Sequence, residues 1–471
     1  MNKLLYQFSA YEVVSLIRKG EISPIEAVKA SIQRIEETDS LVNALPIRCF
    51  DRALNKAKHM DLKSEKENPK SLMGLPIAVK DYNDIGGVKT TYGSKIFANN
   101  IPKVSDETVI QLERNGANPI GKSNVPEWAG GHTFNPVFGV TSNPFNIKKT
   151  AGGSSGGSAA SLASGQVWLA TGNDLGGSLR TPASFNNVVG LRPSPGIVPR
   201  GVRLNPFDTL WVEGPMARSV KDLALMLDAG AGYSINDPLS SDHKQKLFFE
   251  EIQKYKLPKR IAFSVDLGGI IPVSKEIIEA TTNAVKRIKL LGIEVSDQIP
   301  DFSKALDGFH TLRSLLLATM LDDLIKTHRN QILPDIVKNA ENGFNLRNRD
   351  IIDAEKIRKN IVNQMQSFFK NHDFLICPAS SVAPFDIEKP FIKEIGGLPC
   401  KTYIDWFAIT FALTMTGCPV ISLPCGFTKD GLPVGIQILG KPHQEGRLLD
   451  FAWNLESIFG VSQKVPIEKI K

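Results

Sequence analysis

The sequence has no CxxC pair: its five cysteines, Cys49, Cys377, Cys400, Cys418 and Cys425, are scattered and odd in number. That excludes a disulfide framework and a zinc ribbon and fits a reducing compartment, so the cytoplasm is the expected location. Histidines are also few, seven in all, and no His/Asp/Glu cluster has ligand spacing; no metal and no organic cofactor is implied. The charge is not sorted into blocks either. The 56 Lys and Arg are interleaved with 49 Asp and Glu, for a net charge of +7. With no basic arm, helix-turn-helix or zinc finger, a nucleic-acid partner is not expected.

Long apolar runs are equally scarce. Glu12, Arg18 and Lys19 interrupt the N-terminus, which reads as an amphipathic helix and not as a signal peptide. One stretch, WFAITFALTMTGCPVISLPCGF over 406–427, is free of charge for 22 residues. Gly417 with Pro419, and Pro424 with Gly426, divide it into a buried helix and a short strand, so no membrane span is expected.

What is present is the pattern of an α/β protein. Apolar residues make up 42% of the chain, and short apolar runs bounded by turn residues fall at 74–81, 117–124, 166–174, 260–266, 373–379, 420–426 and 434–440. Continuous apolar character implies strands buried on both faces. Between them lie helical stretches such as DETVIQLERNG and SKEIIEATTNAVKRIKLLG. Ser23-Pro24-Ile25-Glu26 is a capping box with Pro at the first helical position, and Ile25, Val28, Ile32 and Ile35 then share one face, which predicts a helix over about 24–37. From about 240 to 372 the sequence turns charged and helix-forming, which reads as a helical cover over a central sheet. No linker divides the chain, so residues 1–471 are expected to form one large domain.

The segment TAGGSSGGSAASLASG, 150–165, is rich in Gly and Ser and carries no charge. A flexible linker would separate domains, whereas this segment sits beside the buried run QVWLATGND. A phosphate cradle fails as well. Gly152 and Gly157 have P-loop spacing, but Ser158-Ala159 stands where Lys and Ser or Thr are needed, and Ser154 breaks a dinucleotide fingerprint. There remains a loop whose glycines let backbone approach a reaction centre, with serine hydroxyls at its surface. Downstream, GNDLGGSLRTPASF (172–185) puts Ser178 after two glycines at a strand end, where the N–H groups of Leu175, Gly176, Gly177 and Ser178 can converge as an oxyanion hole.

A serine nucleophile needs a base. His132 is the only histidine near these segments, and there is no GxSxG elbow around Ser178; a Ser-His-Asp triad stays open on these grounds. Lys80 is the better candidate, because at the end of the apolar run GLPIAV desolvation would lower its pKa.

These residues carry a family likeness. The stretch AGGSSGGSAASLASGQVWLATGNDLGGSLRTPASFNNVVGLRPSPG, with GLPIAVKD upstream and TGCPVISLPCGFTKDGLPVGIQILG downstream, resembles the amidase signature family. The resemblance implies a mixed, twisted central sheet flanked by helices, and amide hydrolysis by a Ser-cisSer-Lys triad through an acyl-enzyme. By position it assigns Ser178 as nucleophile, Ser154, 24 positions earlier, as the serine after a cis bond from Gly153, and Lys80 as terminal base. It also implies Leu175, Gly176, Gly177 and Ser178 as oxyanion donors. Asp174 and Arg180 are expected to brace the nucleophile loop as a charge pair, and Ser155 to assist Ser154. Asn173 departs from the Thr common at that position.

The substrate is expected to be a small-molecule amide, linear or cyclic, with an apolar, aryl or oligomeric group. Residues 124–139 and 313–320 are expected to line its pocket, with Trp128, Gly130 and Gly131 as contacts. A homodimer is compatible with this reading. Two alternatives stand beside it: the glutaminase subunit of a tRNA-dependent amidotransferase, ranked lower because PEWAGGHTFN replaces that subunit's usual motif, and a non-catalytic binding protein on the same fold.

Overall fold

The computed structural model describes residues 4–201, 205–241 and 246–461. Eleven strands form one mixed sheet: β1 (Ile47–Arg48), β2 (Pro76–Lys80), β3 (Asn118–Ser123), β4 (Leu169–Asp174), β5 (Val189–Arg192), β6 (Val212–Ala217), β7 (Arg260–Phe263), β8 (Glu294–Ser296), β9 (Phe374–Pro378), β10 (Val420–Phe427) and β11 (Pro433–Leu439). Their order across the sheet is β1-β3-β2-β4-β6-β5-β10-β11-β9-β7-β8. β3, β2 and β4 run parallel, as do β9, β7 and β8, while the centre from β4 to β9 is antiparallel.

Alternate residues of each strand serve opposite faces, the period-2 rule of a pleated sheet. Ile77, Val79, Ile376, Ile421, Ile436 and Ile438 join a core with the helices Ala10–Lys19, Val220–Gly230, Lys275–Lys289 and Glu445–Phe459. Ala78 and Ala170 pack on the other face with helices Pro24–Val42 and Gly156–Ala163, and Leu375, Cys377 and Leu439 pack there with Ala305–His328 and Ala408–Thr414. Both faces are therefore covered, which explains why the strands read as unbroken apolar runs.

The seven expected strands are all present, with ends shifted by up to three residues. Four others escaped the sequence pattern. β1 and β8 are short, β5 is only four residues, and β6 contains Gly214 and Pro215, residues that ordinarily break strands. Gly214 belongs there because a Cβ would lie 2.3 Å from the Leu191 carbonyl oxygen. Within 240–372, β7 and β8 complete one edge of the sheet, and three helices, Ala305–His328, Pro334–Phe344 and Asn348–Phe368, follow. The charge-free run at 406–427 is divided as expected, into helix Ala408–Thr414 and strand β10, and among the described residues no helix is long and apolar enough to cross a membrane.

The Ser23–Glu26 capping box forms as the sequence suggests. Glu26 N–H donates to Ser23 Oγ at 3.2 Å, while the Ser23 N–H donates to Glu26 Oε2 at 2.7 Å. The helix then runs beyond the expected end to Val42, where Asn43 takes the left-handed conformation (φ 53°) and its amide donates to Phe138 O and Val140 O. Replacing the cap, Ser23→Ala, should lower stability by about 1 kcal/mol and leave activity unchanged, read as a shifted urea midpoint at constant slope.

Candidate active site

Lys80 is the last residue of β2 and is completely buried. Its Nζ lies 2.8 Å from Ser154 Oγ and 2.8 Å from Ser155 Oγ and donates to Asn173 Oδ1 at 2.6 Å. Its sequence neighbour does not neutralise it: Asp81 is turned to Lys122, at 3.1 Å, in a separate buried pair. Burial pushes the Lys80 ammonium down to about 7, against the pull of the Glu213 and Asp174 carboxylates. Glu213 is itself pushed up by burial, opposed by hydrogen bonds from Trp211 and Asn83 and by the charge on Lys80. Asn173 connects the two, since its Nδ2 donates to Glu213 Oε1 at 3.4 Å. Asn173 thus holds the lysine with an amide oxygen, and a carboxylate stands one residue further away.

The Gly/Ser segment approaches this lysine as a turn leading into helix Gly156–Ala163, every residue of which is buried. The Gly153–Ser154 peptide bond is cis. Gly153 is required by contact, because a Cβ there would stand 2.2 Å from the Gly131 carbonyl oxygen. The turn is tied to the second serine loop by the Ser155 N–H, which donates to the Ser178 carbonyl at 3.2 Å. Ser178 is half-buried, whereas Ser154 is 1% exposed.

Asp174 organises the Ser178 loop. Its carboxylate accepts from the Gly177 N–H (2.9 Å), the Leu179 N–H (3.2 Å), Arg180 Nε (3.0 Å) and Arg180 Nη2 (2.9 Å), and Arg192 Nη1 lies 3.4 Å away. Burial would raise this carboxyl, but the Arg180 and Arg192 charges and the loop N–H groups outweigh it and hold it at about 2. The expected Asp174–Arg180 pair is therefore present, with Arg192 as an unforeseen third member. The Gly177 N–H, expected among the oxyanion donors, is already committed to Asp174. The N–H groups of Leu175, Gly176 and Ser178 have no partner among the described residues. Gly177 has φ 125°, and a Cβ would meet Thr410 Oγ1 at 2.2 Å; that threonine also donates to Gly176 O at 2.6 Å.

Ser178 opens into a narrow cavity lined by Gly131, Leu175, Gly176, Phe309, Arg313, Ile404, Phe407 and Phe411. Of the three expected contacts only Gly131 is here, and Arg313 comes from the expected 313–320 segment. Gly130 is turned away, with its Cβ direction 2.9 Å from Glu127 O. Trp128 lines a separate cavity with Tyr82, Tyr92, Trp211 and Met320, where Tyr92 stacks on it at 5.8 Å. The aromatic walls Phe309, Phe407 and Phe411 were missed because their apolar segments read as core. His132, the alternative base, is buried and pushed down to about 4 by desolvation; its Nδ1 is 3.2 Å from Thr150 Oγ1. No hydrogen bond joins it to Ser178 among the described residues.

A desolvated lysine thus stands beside buried serine hydroxyls, next to a serine on a glycine-rich loop whose N–H groups at Leu175, Gly176 and Ser178 have no partner among the described residues. The Amidase family profile matches residues 26–449, and the chain belongs to this family, the amidase signature enzymes, which hydrolyse amide C–N bonds. It is 32% identical over 493 residues to a glutamyl-tRNA(Gln) amidotransferase subunit of Heliobacterium modesticaldum, covering 98% of this chain and 99% of that protein. It is 29% identical to the acylamidase of Rhodococcus erythropolis, covering 99% and 98%. A bacterial aryl acylamidase of the amidase signature family superimposes with a TM-score of 0.91, at 28% identity and 99% coverage of both chains.

The buried carboxylate gives a test of the loop's bracing. Asp174→Asn leaves two buried guanidinium groups without their counter-charge, and should cost about 3–5 kcal/mol in a chemical denaturation series.

Proposed function

We propose that the protein is a stand-alone amidase in which Ser178, Ser154 and Lys80 form the catalytic relay. Neutral Lys80 takes the proton of Ser154, which takes that of Ser178 as the Ser178 Oγ bonds to the amide carbonyl carbon. The carbonyl electrons move to oxygen, and the resulting oxyanion is received by the N–H groups of Leu175, Gly176 and Ser178. When the intermediate collapses, the C–N bond breaks and the proton returns through Ser154 to the leaving amine. Water then attacks the acyl-Ser178 ester by the same route, releasing the acid. Ser155 and Asn173 hold the Lys80 amine in place. The helix Ala305–His328 covers the acyl pocket of a single catalytic domain.

The observation that carries this reading is the lysine: wholly buried, hydrogen-bonded to Ser154, and displaced to about 7, where an amine serves as a base near neutral pH. The acylamidase likenesses and the closely walled cavity favour small amides with a short apolar or aryl part. The amidotransferase component remains a second reading because of the 32% identity across 98% of the chain. It requires glutamine as substrate and a second type of chain, so ammonia or amine release from simple amides by the isolated protein decides against it.

Ser178→Ala and Lys80→Ala should each lower kcat/KM by at least about 10³-fold in a panel of aliphatic, aryl and amino-acid amides. A fluorophosphonate should add its mass to the Ser178 peptide; an unlabelled peptide together with no turnover would favour a binding protein. Because the base acts unprotonated, kcat/KM should rise with pH through about 7 and then level off, as measured in a pH–rate series.

A further inference from the structure

We propose that Arg313 binds a carboxylate carried by the substrate, so that the preferred substrates are amides bearing a negative charge. This rests on the amidase reading above and names the substrate class of the same cavity.

Arg313 is 2% exposed, sits on helix Ala305–His328, and lines the cavity into which Ser178 opens. Its Nη2 donates to the Tyr403 phenol oxygen at 2.7 Å, and its guanidinium carbon lies 5.4 Å from that ring's centre. Its Nη1 is buried and has no hydrogen-bond acceptor. Among the described residues no carboxylate lies within ion-pairing distance of it. The buried guanidinium groups of Arg180 and Arg192 differ in this respect, since both share Asp174. Asp405 is occupied by His310 at 3.0 Å and by the Lys401 and Thr402 N–H groups, and Asp335 is exposed.

A buried guanidinium is retained only where its charge meets a partner, because removing it from water is otherwise costly. Its planar fork fits a carboxylate with two parallel N–H donors. The other walls, Leu175, Phe309, Ile404, Phe407 and Phe411, are apolar and offer no competing anion. The cavity thus presents a nucleophile, unpartnered loop N–H groups and one unneutralised cation behind aromatic walls. An amide with a short apolar chain ending in a carboxylate matches that arrangement, and the expected uncharged substrate leaves the cation unanswered. The carboxylate can belong to the acyl part, as in a monoamide of a dicarboxylic acid, or to the amine part, as in an N-acyl amino acid.

Two matched pairs separate these sources: glutaramate against pentanamide, and N-butanoylglycine against N-ethylbutanamide. The proposal expects the charged member of one pair to be favoured in kcat/KM by roughly 10- to 100-fold, the range of a lost charge-assisted hydrogen bond. Arg313→Met, which keeps the apolar stem, should erase that preference by lowering kcat/KM more for the charged member than for the neutral one, while Arg313→Lys retains part of it. Equal treatment of charged and neutral members by wild type, or an equal loss of both in Arg313→Met with an unchanged melting curve, overturns it. Calorimetric titration of the Ser178→Ala variant with glutarate and with N-butanoylglycine reads the site without turnover. Binding of either that is lost on adding Arg313→Met supports the carboxylate site even if no amide is cleaved. Absence of binding to both overturns it even if neutral amides are hydrolysed.

Discussion

The structure depends on an ammonium group placed where water cannot reach it. Lys80 ends a strand that is buried on both faces, and its charge is met by hydroxyls and an amide oxygen and not by a carboxylate in contact. A direct ion pair would hold the lysine protonated; complete isolation would make the charged form untenable. Glu213, one residue removed through Asn173, and Asp174 set the compromise by attraction over distance. The serine turn, the Ser178 loop and the neighbouring strands are arranged around this requirement.

The second constraint is the shape of the Ser178 loop, and Asp174 meets it. One carboxylate fixes two N–H groups of the loop it begins and joins them to two arginines, so the remaining N–H groups point free. The pair is buried, where substituting one member leaves an unbalanced charge, which makes the loop rigid at the expense of tolerance to mutation. Thr410 adds a further anchor by donating to Gly176 O. Catalytic loops with fixed donors need this preorganisation, since donors that reorient during reaction contribute less to oxyanion stabilisation.

Much of this was legible in the sequence, for identifiable reasons. Strands buried on both faces leave continuous apolar runs, and a lysine ending such a run, like the Gly/Ser turn and the strand-end Gly-Gly-Ser, is chemically conspicuous. The β6 strand was hidden because Gly214 and Pro215 mimic a turn, although close strand packing is what demands the glycine. The cavity walls were hidden for a different reason. Phe309, Phe407 and Phe411 are apolar residues whose core and pocket roles look alike in one dimension. Trp128, whose size suggested a substrate contact, lines a second cavity apart from the one at Ser178 and stacks there on Tyr92. Arg313 lay at the edge of a segment expected to line the pocket, but its lack of a counter-charge is visible only in three dimensions.

Arg180 follows Ser178 by two positions, yet its Nη1 donates to Thr410 O at 2.7 Å and Gln437 Oε1 at 2.8 Å, and its Nη2 to Thr414 Oγ1 at 2.9 Å. The Ser178 loop is therefore fastened to parts of the polypeptide made more than two hundred residues later on the ribosome. A growing chain that has emerged only through Ser178 has that serine but not its fastening. The fastening of this loop arrives only with the closing strands.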